Sequence, residues 1–111
     1  MTMNNLVAIV VFAPYDYAEK IRLSMDKAGA GALGNYHGCS FSILGTGRFT
    51  ACPGADPHIG DIGIPCKTDE VRIETICPRD KAREVLHAMI DAHPYEEPAY
   101  HCYEILTLDD L

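Results

Sequence analysis

Basic side chains are scarce in this chain. Nine Lys and Arg stand against sixteen Asp and Glu in 111 residues, a net charge of −7. The deficit is uneven: residues 1–50 carry four basic and three acidic groups, and residues 51–111 carry five and thirteen. Phosphate binding needs a basic field, so nucleic acid is not an expected partner. Long apolar runs are missing too. Leu6–Ala13 stops at Pro14, far short of the roughly 20 residues that span a bilayer. Met1–Asn5 has no positive charge, so the start lacks the pattern of a secretory leader. The five cysteines, at 39, 52, 66, 77 and 102, include no C-x-x-C pair, which excludes a zinc ribbon or a dithiol redox motif. Reduced thiols in a cytoplasmic protein away from membranes are the expectation. Fixed-period repeats and low-complexity tracts are absent.

What is present is ordinary for a globular chain: 48% hydrophobic and 23% charged residues. Residues 1–111 are expected to form one domain. Leu6–Ala13 is apolar and β-branched, a strand buried on both faces. Asp16 is placed as a helix N-cap with Glu19 completing a capping box. Ala18, Ile21, Met25 and Ala28 share one face of that helix, and Gly29 ends it. Cys39–Leu44 alternates as a strand, extended by Arg48–Thr50 beyond a bend at Gly45–Gly47. A long loop covers residues 51–68, with Ile59, Ile62 and Ile64 expected to pin it down. Glu70–Cys77 is a third strand whose alternating charges fit partial exposure or ion pairing. A second helix starts at Pro78 or Asp80, buries Ala82, Val85, Leu86, Met89 and Ile90, and ends near His93–Pro94. Tyr100–Leu108 is a fourth strand.

The order β-α-β-β-α-β implies an α+β, ferredoxin-like sandwich, one antiparallel sheet with two helices on one face. The first strand is then central, and its second apolar face needs a cover. Sheet-to-sheet burial in a homo-oligomer would supply one. Gly29–Gly34 matches G-x-G-x-x-G, but it follows a helix and enters a polar turn. A dinucleotide fingerprint needs a preceding strand and a following helix, so the segment reads as a loop.

Five segments occur in order: Gly34–Phe41 (GNYHGCSF), Gly45–Phe49 (GTGRF), Pro57–Gly60 (PHIG), Glu70–Glu74 (EVRIE) and His93–Tyr100 (HPYEEPAY). Together they resemble the PII-like domain inserted in YqfO-type proteins, the "interacting factor three"-like dinuclear-metal-centre hexamers. The likeness covers about residues 5–106. The His-Pro-Tyr-Glu segment is also similar to the CutA divalent-ion-tolerance proteins, which share a trimeric ferredoxin-like plan. The resemblance implies a PII/CutA-like module that forms a trimer. In the full-length proteins the dinuclear metal site lies in flanking core domains, so neither that centre nor a hydrolase or cyclohydrolase activity is expected here. His58 stands where an apolar or small residue is commoner. His101–Cys102 replaces an acidic and an aliphatic residue.

His37, Cys39, His58, His93, His101 and Cys102 are the available soft or borderline donors, suited to a divalent zinc or copper ion. His37, Cys39 and His93 are the candidate metal set, although no spacing completes it. His101 and Cys102, adjacent in a strand, face opposite sides. Asn35, Tyr36, His37, His58, His93, Tyr95, Glu96 and Glu97 are the candidate ligand-binding residues. His93 has a structural alternative, a helix-end histidine against the helix dipole. Cys39 beside His37 is the sole local nucleophile candidate, and no orienting group or oxyanion hole accompanies it, so no catalytic residue is assigned. The leading function is a non-enzymatic oligomeric module that binds a small ligand, a metal ion or a protein partner. The alternatives are a small metal-dependent hydrolase and a regulatory subunit docking on a separate metal-centre protein.

Overall fold

A computed structural model describes residues 5–111; residues 1–4 of the amino-terminal stretch lie outside it. β1 (Leu6–Pro14) runs into a short 3-10 turn (Tyr15–Tyr17) and α1 (Ala18–Lys27). β2 (Ser40–Phe49) and β3 (Cys66–Pro78) follow, then α2 (Arg79–Ala92), β4 (Tyr100–Glu104) and a closing 3-10 turn (Leu108–Asp110). The sheet order is β2-β3-β1-β4, antiparallel at every pairing. This is the α+β ferredoxin-like fold. Among the described residues no helix is long and apolar enough to cross a membrane.

The core lies between the sheet and the helices. Val7, Ile9, Val11 and Ala13 alternate along β1 toward Ile21 and Met25 of α1 and Val85 and Met89 of α2. Each large aliphatic sealed there contributes about 1.5–3 kcal/mol. Helix α1 closes in a Schellman turn. Gly29 takes φ +113°, and the Ala30 N–H donates to the Met25 carbonyl at 3.0 Å. Gly31 follows at φ +81°, its N–H donating to the Ile76 carbonyl at 2.7 Å. A Cβ there would come within 2.5 Å of the Cys39 backbone nitrogen. The G-x-G-x-x-G stretch is therefore a clasp between α1, β2 and β3.

Several expectations need correction. Asp16 does not cap α1. It lies inside the 3-10 turn, Tyr17 occupies the N-cap without a side-chain bond, and Glu19 pairs with Arg22 instead. The Tyr15–Tyr17 turn displaces the helix start by one residue. No bend interrupts β2. Gly47 stays in the ladder opposite Thr68, and a Cβ there would collide with the Glu70 carboxyl. The glycine makes room for a neighbour's side chain. β3 begins at Cys66, so the loop is shorter than expected. Ile62 and Ile64 are exposed, and only Ile59 is half-buried. The loop is tied down by backbone: Gly63 N–H donates to the Ala51 carbonyl at 2.7 Å. β4 ends at Glu104, and Leu108 belongs to the closing turn.

The second face of β1 is not wet. Ala8 and Val10 are 3% and 0% exposed in the single chain. Ala8 lies between Ile76 and Tyr103, and Val10 between Glu74 and His101. The Tyr103 hydroxyl donates to Glu74 at 2.8 Å, bridging β4 to β3 across β1. The Arg72 guanidinium lies 5.9 Å from the Phe12 ring centre and 3.8 Å from Glu74. Small residues flanked by long ones are covered by their neighbours. The edge strands stay exposed: on β2 Phe41 and Ile43 are 63% and 52% open to solvent, and every residue of β4 is exposed.

Candidate functional site

β3 outruns β1, whose last pairing is Pro14 with Glu70. Past that point the β2–β3 hairpin stands alone, and loop 50–65 folds back beside the 93–99 turn. The Glu70 side chain crosses over Gly47 and accepts a hydrogen bond from the Tyr95 hydroxyl at 2.9 Å. Burial, reinforced by that carboxylate, pushes the Tyr95 phenol well above its ordinary range. The ring is thus a fixed neutral wall.

His93 anchors the same turn from beneath. Its Nε2 lies 2.8 Å from the Phe12 carbonyl, and the Tyr95 N–H donates to Nδ1 at 3.2 Å. A carbonyl accepts only, so Nε2 carries the proton and the imidazole is neutral. Burial, opposed in part by the Phe12 bond, holds the ring's pKa below its usual value of 6.5. This overturns the helix-dipole alternative, which requires a charged ring. His93 is a neutral strut between the end of α2 and β1.

Around Tyr95 the rings form a chain. His93 is 4.9 Å away centre to centre, His58 6.2 Å and Phe49 6.3 Å, while Tyr17 meets His58 edge-on at 5.6 Å. Beside them opens a cleft of about 340 Å³ lined by Phe49, Cys52, His58, Tyr95, Glu96 and Glu97, among others. Glu96 is pinned there, accepting the Asp56 N–H at 3.0 Å. Four of the five sequence segments singled out above contribute to this one place: Arg48 and Phe49, Pro57 to Ile59, Glu70, and Tyr95 to Glu97 with Ala99.

The other candidates lie elsewhere. Asn35, Tyr36 and His37 are exposed on the α1–β2 connection, where His37 faces Asp26 at 3.6 Å. Cys39 is half-buried, its carbonyl taking the Thr75 hydroxyl at 2.8 Å. The metal set His37, Cys39 and His93 is not drawn together. Both His93 ring nitrogens are already engaged, and no group of three or more His, Cys, Asp or Glu placed to hold a metal occurs among the described residues. A zinc or copper ion does not fit these residues. All five thiols are free, and burial raises the pKa of Cys77.

Tyr17, Phe49 and Glu70 were not among the candidate ligand-binding residues, although Phe49 and Glu70 lie in two of the five segments. Gly47 was the available signal for Glu70, since a glycine within a strand often marks a close approach. Tyr17 offered none.

No family model matches the chain. A GTP cyclohydrolase 1 type 2 homolog of Halalkalibacterium halodurans is 41% identical over 104 residues, covering 94% of this chain and 28% of that protein. A Bacillus cereus protein related to NIF3 superposes with a TM-score of 0.80 at 43% identity, over 93% of this chain and 26% of its own. CutA1 of Shewanella sp. SIB1 superposes with a TM-score of 0.69 at 18% identity, over 96% and 86%. That last likeness is one of fold alone. The chain thus spans about a quarter of the length of the curated relatives it matches, and over nearly all its own length it is similar to one stretch of NIF3-related proteins, in a CutA-like fold.

Proposed function

We propose that the chain is a non-enzymatic PII/CutA-like module of the kind found within YqfO-type proteins, assembling as a homotrimer and holding a small ligand in the cleft beside Tyr95. The observation that carries this reading is the coverage. Nearly the whole chain aligns with about a quarter of each of these relatives, so the activity in the name of the GTP cyclohydrolase 1 type 2 homolog is not assigned to this portion. Assembly rests on the outer strands. β2 and β4 are both sheet edges, and β2 adds exposed Phe41 and Ile43. An apolar strand edge is a pairing surface. The ligand site rests on a cleft of small-molecule size with a preset wall.

Native mass spectrometry and sedimentation of the untagged chain test this reading, together with GTP incubation. A trimer that leaves GTP unchanged is the expected result. A monomer at all micromolar concentrations refutes assembly, and a dimer refutes the count. GTP consumption that scales with the protein and survives repurification refutes the non-enzymatic reading.

A further inference from the structure

The cleft beside Tyr95 has walls of two kinds. Phe49, His58 and Tyr95 supply rings, and Glu70, Glu96 and Glu97 supply carboxylates. Arg48 is the one Lys or Arg among its lining residues. A second hollow of about 240 Å³ is also lined by His58 and holds Tyr17, Asp16 and Asp69 and no Lys or Arg. The geometry is set before any ligand arrives. Glu70 and His93 hold Tyr95, the Asp56 N–H holds Glu96, and Tyr17 packs edge-on against His58. Carboxylates facing a half-enclosed space repel phosphate-bearing molecules and attract cations. Ring faces carry negative π density and add attraction for an ammonium group, together with contact for its carbon chain. A bare metal ion would want converging carboxylates at coordination distance, and no such group is gathered among the described residues.

We infer that the cleft lined by Phe49, His58, Tyr95, Glu96 and Glu97 binds an organic ammonium ion, with the carboxylates meeting the charge and the rings meeting the alkyl part. This rests on the ligand-site reading above and names its ligand class. The second hollow, which shares His58 and Ile59 with the cleft, gives a longer amine a place for a further charged end.

The test uses the full chain with spermidine as the cationic probe and ATP as the anionic one, followed through the His58 and Tyr95 ring resonances. Spermidine is expected to shift both resonances saturably, and added salt should weaken it. Glu96→Gln keeps an acceptor for the Asp56 N–H. Combined with Glu97→Gln it should raise the spermidine Kd at least about tenfold with the melting temperature unchanged. The single Glu97→Gln variant, at an exposed position, gives the same reading, with a smaller rise, if the double variant does not fold. ATP shifting the two rings while spermidine does not would leave the site standing and overturn the ammonium assignment. Neither probe moving them would overturn both. Spermidine binding that is indifferent to the charge-removing variants would place it elsewhere and overturn the inference.

Discussion

Replacing His93 separates a structural strut from a ligand. The side chain is 7% exposed and joins three segments: α2 before it, β1 through the Phe12 carbonyl, and the following turn through the Tyr95 N–H. His93→Ala leaves both backbone groups without that partner, each costing about 1–3 kcal/mol where water cannot replace it. It also opens a hole under the Tyr95 ring. The lowered pKa of His93 tempers the value near neutrality very little, because the ring is already neutral there. A loss of about 2–4 kcal/mol follows, more than the roughly 0.3–1 kcal/mol of an ordinary helix-dipole contact. His93→Gln can still donate to Phe12 but offers the Tyr95 N–H no acceptor at the right place, so its loss should be intermediate. Urea denaturation at one fixed protein concentration measures both, since stability of an assembly depends on concentration.

The pH dependence gives the second reading. The folded-state pKa of His93 lies below the unfolded 6.5, so the unfolded chain binds more protons between the two values. The contribution of His93 is complete above pH 6.5 and is lost as pH falls through the folded-state value. Protonation would place an Nδ1–H against the Tyr95 N–H. The stability gap between wild type and His93→Gln should therefore narrow as the pH drops toward about 5. A gap under about 0.5 kcal/mol at pH 7.5, or one that widens in acid, would refute the neutral strut.

Gly31→Ala should destabilise by more than about 2 kcal/mol, because it strains a positive φ and drives a methyl group into the Cys39 backbone; thermal melting reads it. Phe41→Asp with Ile43→Asp should leave the circular dichroism spectrum intact and shift sedimentation toward the monomer, since both side chains are exposed in the single chain. Retained assembly would remove β2 from the interface. Thr75→Val should cost about 1 kcal/mol, the value of its bond to the Cys39 carbonyl, and chemical denaturation at pH 7 would show it.

The fold was legible because its elements announce themselves by period. The β-branched run of β1, the spacing of Ile21 and Met25, and that of Val85 and Met89 each point one face at the core. Where the reading failed, local signals were outweighed by longer contacts. Asp16 and Glu19 have the spacing of a capping box, yet three residues of 3-10 turn precede α1 and Glu19 finds Arg22. Gly45 and Gly47 look like a break, yet the ladder to β3 carries the strand through.

The candidate site was half legible for a related reason. His58, Tyr95 and Glu96 stand in conspicuous Pro- and Gly-flanked segments, and they do meet. His37 and Cys39 are just as conspicuous and do not join them, because α1 and its Schellman turn deliver that connection to the Asp26 side of the molecule. The Asp56 N–H bond to Glu96 and the His58–Tyr95 ring contact tie the loop to the 93–99 turn, and the anchor beneath them is a strand residue, Glu70. It reaches across a missing Cβ at Gly47 to fix Tyr95. Read along the chain, Glu70 is one charge in an alternating strand. Only pairing with β2 shows that its neighbour is a glycine, and only the fold-back of the 93–99 turn supplies the phenol. The oligomer expectation met the same limit. Periodicity showed that β1 has two apolar faces, but cross-strand register decides that Tyr103 and Glu74 close over one of them. Exposed apolar side chains remain on β2, at the sheet's edge, so the proposed assembly rests on the edge strands rather than on the centre of the sheet.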